Sequence, residues 1–298
     1  MKYLGFLLSL VISVSCSHFG KEDPRDLAVP VDSTLFHPGK VLAEIIDPRL
    51  EEVSGMVVSR DQSGLLWVHN DSGDSAKLYL INFKGEVQMT VKLEGIKAVD
   101  WEDMSLVPTD STDQLIIGDI GDNQGRRDKI YVHVIDEPIY NGAKTANISP
   151  SDITTYTLQY HQGPRDAESI GYHPLSKEVN IITKREENVM FCSFRLGDNR
   201  RLELSQKGKI GLRNFTATDI NANGEVLIKN YNNVFYWDNV DKLDQLDIED
   251  AVRIPYIVEP QGEAIAWDEK GGFYTLSEFN EDSKQLLYYY APKLAIGI

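Results

Sequence analysis

Three observations predict an all-β chain folded as a five-bladed β-propeller. From residue 41 onward, short runs rich in Val, Ile, Tyr and Phe alternate with Gly, Asn and Asp, with almost no helical periodicity. One pattern recurs five times: a polar residue stands two places before an aliphatic anchor, and a turn follows. The anchors Met56, Met104, Ile170, Ile220 and Ile265 are 48, 66, 50 and 45 residues apart, and each interval holds four strand-like runs, the content of one blade.

Composition bounds the remaining choices. The 298 residues are 42% hydrophobic and 26% charged, as in a globular chain. With 46 acidic against 30 basic residues the net charge is −16, which excludes nucleic acid as a partner because phosphate neutralisation takes clustered Lys and Arg. Cys16 and Cys192 are the only cysteines, so a disulfide scaffold and a multi-cysteine zinc site are excluded.

The chain opens with MKYLGFLLSLVISVSC, in which Lys2 precedes an apolar run, Leu4 to Val14, too short to span a bilayer comfortably. The run ends in small residues and then Cys16. It resembles a bacterial lipoprotein signal (1–16), which implies export, lipidation of Cys16 and a membrane-anchored protein facing the periplasm or cell surface. Residues 17–40 mix Pro, Gly, Ser and charge without periodicity and read as a flexible tether. Residues 41–298 read as a single propeller domain whose contact with the membrane is the lipid alone.

Within it, VLAEIID (41–47) reads as a strand completing the last blade, since the chain ends soon after the third strand of the fifth repeat. Such closure removes exposed sheet edges. The inner strands are SGMVVS (54–59), EDMSLVP (102–108), ESIGYHP (168–174), TDINANG (218–224) and EAIAWDE (263–269). Second strands are LLWVHNDSGD, LIIGDIGDN, VNIITKREE, VLIKNYNN and FYTLSEFN; third strands are KLYLINF, KIYVHVI, VMFCSFR, NVFYWDN and QLLYYYA. Fourth strands are VQMTVKL, ITTYTLQY, LELSQKG and RIPYIVE, while 138–152 and 238–250 read as loops. Cys192, inside VMFCSF, reads as a buried small hydrophobe.

The innermost strand of each blade lines a central channel. That topology brings Ser54, Glu102, Glu168, Thr218 and Glu263 to one axis. Three converging carboxylates repel one another unless a cation sits among them. Oxygen-only donors without His or Cys suit Ca²⁺, which takes 6–8 oxygens at flexible geometry, better than Mg²⁺. The alternative is a hydrated polar channel.

The turns after the second strands open on the same face and bring His69, Asp71, Asp119, Asp122, Lys184 and Arg185 there. Arg126 follows closely, and Arg165 and Asp166 precede the third inner strand. This inventory suffices for a phosphoester hydrolase: Arg or Lys neutralises phosphate oxygens, a carboxylate orients water, and His69 acts as acid or base. The same sequences, HNDSGD and GDIGDN, are also good turn formers.

The runs LWVHNDSGDSAKLY, VDWEDMSL, LIIGDIGDNQGRRDKIYV and DAESIGY resemble a family of exported bacterial propeller proteins. The inner-strand order Ser, Glu, Glu, Thr, Glu is similar to that of the calcium-activated nucleotidases (apyrases), five-bladed propellers with a central calcium. The resemblance implies that Ser54, Glu102, Glu168, Thr218 and Glu263 surround Ca²⁺.

No GxSxG elbow, Walker A loop, HExxH or dinucleotide fingerprint occurs. Two readings remain. One is a calcium-bearing binding module for a small anionic ligand or an envelope protein, with the chain a monomer. The other is a calcium-dependent hydrolase of phosphorylated or other anionic substrates.

Overall fold

In the computed structural model, which describes residues 22–293, five mainly antiparallel sheets surround a channel. Blade one runs Val53–Val58, Leu65–Asn70, Lys77–Asn82 and Val87–Leu93 from the axis outward. Blade two runs Trp101–Val107, Gln114–Asp119, Ile130–Asp136 and Thr154–Tyr160; blade three runs Ala167–His173, Glu178–Thr183, Val189–Phe194 and Gln206–Ile210. Blade four runs Phe215–Ile220, Val226–Asn230, Val234–Trp237 and Val252–Ile254. Blade five is Gly262–Trp267, Phe273–Ser277 and Leu286–Tyr290, completed by Lys40–Glu44. That N-terminal strand pairs antiparallel with Leu286–Tyr290, as the sequence predicts.

Five apolar clusters hold the ring together, one between each pair of neighbouring blades. Alternating side chains of one strand serve the two neighbours: Ile181 and Cys192 face blade two, whereas Ile182 and Phe191 face blade four. Cys192 is thus buried packing, and burial pushes its thiol up to about 11. Trp101 fills the gap between blades one and two, and Trp267 that between four and five. No described helix is long and apolar enough to cross a membrane.

Several segments differ from the sequence expectation, most of them at outer edges; the expected fourth strand RIPYIVE (253–259) is a strand only at Val252–Ile254. In 138–152, expected as a loop, Thr145–Ile148 adds a parallel fifth strand to blade one. The expected fourth strand 202–208 is split: Arg201–Leu204 adds in parallel to blade two, and Gln206–Ile210 completes blade three. The expected tether is largely docked. A short helix, Pro24–Ala28, sits on the turns of blades three and four, Val31 bridges to Arg253 at the edge of blade four, and Phe36 is buried between blades four and five. Unpaired edge strands recruit other chains, so each added strand occupies backbone groups that would otherwise be exposed. Cys16 and the signal segment lie outside the described residues.

Candidate functional site

Every inner strand shifts register with its neighbour near its start: at Val53/Gly55, within Trp101/Met104, and at Ala167/Ser169, Phe215/Ala217 and Gly262/Ala264. A bulge leaves a residue out of the ladder and re-aims its side chain. The bulges hold Ser54, Glu102, Glu168, Thr216 and Glu263, so four of the five predicted ring positions stand at equivalent places. In blade four the equivalent hydroxyl is Thr216, not Thr218. Thr218 sits where the other blades carry their aliphatic anchor, fully buried, its hydroxyl donating to the Leu227 carbonyl at 2.9 Å.

The ring is not symmetric. The Lys184 ammonium, expected on the rim, reaches inward, ion-pairs with Glu168 and donates to the Tyr231 hydroxyl at 2.8 Å. Tyr231 in turn donates to Glu263 Oε1 at 2.9 Å. Two of the three ring carboxylates thus have partners within the protein. Ser54 donates to the Glu102 carbonyl, which leaves the Glu102 carboxylate unsupported. Glu102 is 2% exposed, and its Oε1 has no hydrogen-bond partner.

Around Glu102 two carboxylate triads bring ligand atoms within 4.8 Å of one another: Asp71 with Asp100 and Glu102, and Glu102 with Asp166 and Glu168. Burial pushes Glu102 well above the usual carboxylate range, and Glu168, Asp71, Asp100 and Glu263 add to the shift. Asp71 is pushed up to about 8 by burial, then by Glu263 and Asp100. Asp100 rises to about 6 and Glu168 to about 8, mainly through burial, with Lys184 holding Glu168 back. Glu278, beside Glu263, is pushed to about 11 by burial and its acidic neighbours. Too few cations stand among these carboxyls to offset their burial and mutual repulsion, so each is held above the usual carboxylate range.

The wall of this pocket is backbone. A Cβ placed on Gly121 would collide with Glu102 Oε1 and come within 2.6 Å of Asp100 Oδ2. The turn bearing Gly121 is fixed by Arg127, which donates to Asp119 Oδ1 and to the Gly121 carbonyl, each at 2.6 Å. Asp119 also accepts from the Val99 and Asp100 amides at 3.1 and 3.2 Å. Asp122 accepts from the Arg126 and Arg127 amides at 2.9 and 2.7 Å. Asp119 and Asp122 are therefore spent on holding the turn, and Arg126 is exposed on it.

Asp166 is anchored by the Asp122 amide at 2.9 Å and by Arg185, and Arg165 pairs with Glu186 at 3.3 Å. His69 is not on the rim. Its ring is fully buried behind the inner strand of blade one, where Nδ1–H donates to the Asn70 carbonyl at 3.0 Å, and burial lowers it to about 4. A Cβ on Gly55 would overlap this ring, so only glycine admits it there. His69 has no path to a ligand and cannot serve as the acid or base the sequence suggests.

Sequence reasoning missed Asp100, Tyr231 and Thr216. A signal for Asp100 exists: Asp100-Trp101-Glu102 and Asp166-Ala167-Glu168 repeat one Asp-x-Glu spacing, and alternate residues of extended chain share a side.

Neither a family model nor a curated protein matches the chain. Among solved structures, a luciferin-regenerating enzyme is similar at 11% identity and a TM-score of 0.43, over 84% of this chain and 93% of its own. A gluconolactonase from Xanthomonas campestris is similar at 9% identity and a TM-score of 0.45, over 89% of this chain and 97% of its own.

Proposed function

We propose that this chain is an exported calcium-binding propeller, anchored through a lipid on Cys16, that presents its cation to a small anionic ligand or an envelope protein at one mouth of the channel. One observation carries the reading: the buried, unpartnered Glu102 Oε1 stands where two carboxylate triads meet. An orphaned buried carboxylate costs several kcal/mol unless a cation or proton compensates it, of order ~3–5 kcal/mol for a broken buried pair. The donors are oxygens only, which suits calcium. Glu102, Asp71, Asp100 and Asp166 would hold the ion, and the ion would supply a fixed positive charge able to bind an anion. Lys184 already occupies the Glu168 side of the ring, so the cation position lies off the axis, toward blades one to three. Thr218 has no part in it.

A second reading, a calcium-dependent hydrolase of phosphorylated or other anionic substrates, is favoured by Arg185, whose exposed guanidinium pairs with Asp166 beside the same cluster. Phosphatase and nucleotidase assays with calcium and with chelator separate the two readings.

Calorimetric titration with calcium tests the site itself. We expect saturable binding to the wild type and at least about tenfold weaker binding, a loss of about 1.4 kcal/mol, for Glu102→Gln. Asp122→Asn, which leaves the turn one acceptor oxygen, should bind nearly as wild type. Absence of binding to the wild type would remove the calcium reading and leave a hydrated channel.

A further inference from the structure

The docked N-terminal segment shortens the connection between Cys16 and the domain. Asp23 pairs with Arg25 and Arg213, and Arg25 donates to the Glu187 carbonyl at 2.5 Å. Asp26, 2% exposed, accepts from Asn230 and Asn233 at 2.8 and 3.2 Å. Between those two asparagines lies Tyr231, a member of the mouth network. The described chain therefore begins beside the channel mouth, at Glu22, six residues after Cys16. Six residues reach at most about 20 Å, against about 80 Å for a tether running to residue 40.

Exposed apolar side chains stand on that same side. Phe279, 47% exposed, follows the second strand of blade five, and Ile46, 82% exposed, follows the strand that completes that blade. Val99, 41% exposed, precedes the inner strand of blade two, and Leu27, 50% exposed, belongs to the docked helix. They are spread around the opening as single residues rather than gathered in one patch. Arg185 and Arg213, each about half exposed, stand on the same side, as do the exposed Glu51, Glu52, Glu281 and Asp282, whose charge a bound cation would offset. Exposed apolar side chains beside carboxylates and a cation site suit shallow insertion with the cation bridging protein carboxylates and lipid phosphates.

From the short connection, the ring of apolar residues and the cation site, we propose that the channel mouth lies against the bilayer surface, with the calcium site turned toward the phosphates of anionic lipid. This rests on the lipidation of Cys16 proposed above. The opposite face, with Ile139 (71% exposed) and Leu175 (53% exposed), points away from the membrane.

The test uses the exported full chain on vesicles of phosphatidylcholine and phosphatidylglycerol, with calcium. A fluorophore is placed by Phe279→Cys, Ile46→Cys, Ile139→Cys or Leu175→Cys and is quenched by spin-labelled lipid; Cys192 is buried and does not compete. We expect several-fold stronger quenching at 279 and 46 than at 139 and 175. The difference should shrink in Arg25→Ala/Asp26→Asn, which releases the docked segment. Equal quenching on both faces, stronger quenching on the far face, or none on a membrane-bound chain overturns the orientation. The mass of the N-terminal peptide reports acylation separately. If Cys16 carries no lipid, the labelled variants are repeated with Cys16→Ser; calcium-dependent quenching at 279 and 46 then still supports the mouth as the membrane surface, and its absence overturns it.

Discussion

Glu102 and His69 show how burial decides the role of an ionisable side chain. Glu102 is buried among carboxylates without a partner, the condition behind the proposed cation; His69 is buried beside Trp101 with no carboxylate partner, and so stays neutral. The neutral state has a consequence for stability. The folded His69 titrates at about 4, below its unfolded value of 6.5, so the unfolded chain binds the proton first. Its contribution is complete above pH 6.5 and is lost as pH falls toward 4, by up to roughly 3 kcal/mol. His69→Asn keeps a donor for the Asn70 carbonyl but does not titrate. Denaturant unfolding between pH 6.5 and 4 should therefore fall less steeply in that variant than in wild type, with calcium binding unchanged. Gly121 is the complementary case. Gly121→Ala should preserve the fold but displace the Glu102 carboxylate and weaken calcium binding, with overpacking costing about 1–3 kcal/mol of stability.

At the scale of strands and turns, the recurring inner strand was legible because extended chain with a turn at its end has few alternatives. Four of five ring positions followed from it. Blade four misled because the reading matched aliphatic anchors. There Thr218 itself fills the anchor position beside Met56, Met104, Ile170 and Ile265, and choosing Ile220 slid the frame by two residues. The Lys184 contact was not legible: its place after a second strand says where the backbone is, not that a long side chain turns inward to Glu168. The added edge strands were missed for a related reason. Thr145–Ile148 is half polar and pairs on one side only, so it lacks the apolar run of a blade strand. The closing strand yields a direct expectation. Removing residues 22–44 strips blade five of its outer strand and exposes the edge of Leu286–Tyr290, as well as uncovering Trp267 and Phe273 where Phe36 sits. The shortened chain should aggregate or melt far below the full one in a thermal scan, whereas a chain beginning at residue 22 should melt as the full one does.

For the whole molecule, a propeller places its least favourable charges where its parts meet. Five inner strands share one axis, so a carboxylate from each of several blades is brought close only when the ring closes, and the unfolded chain never feels that repulsion. A cation at Glu102 would therefore act on closure itself, since the proposed ligands Asp71, Asp100, Glu102 and Asp166 come from blades one, two and three. Calcium bound to the closed ring and not to the unfolded chain stabilises by mass action, by about 2.7 kcal/mol at a hundredfold excess over its dissociation constant. For a domain of this size each kcal/mol moves the melting temperature by about 2–4 °C, so chelation should lower it by roughly 5–10 °C. On the proposed reading, Glu102→Gln removes both the repulsion and the site. Its melting temperature in chelator should equal or exceed that of wild type in chelator, and calcium should raise it little. That crossing distinguishes a cation site from a structural carboxylate, because a Glu102 that merely supported the fold would leave its Gln variant less stable under both conditions.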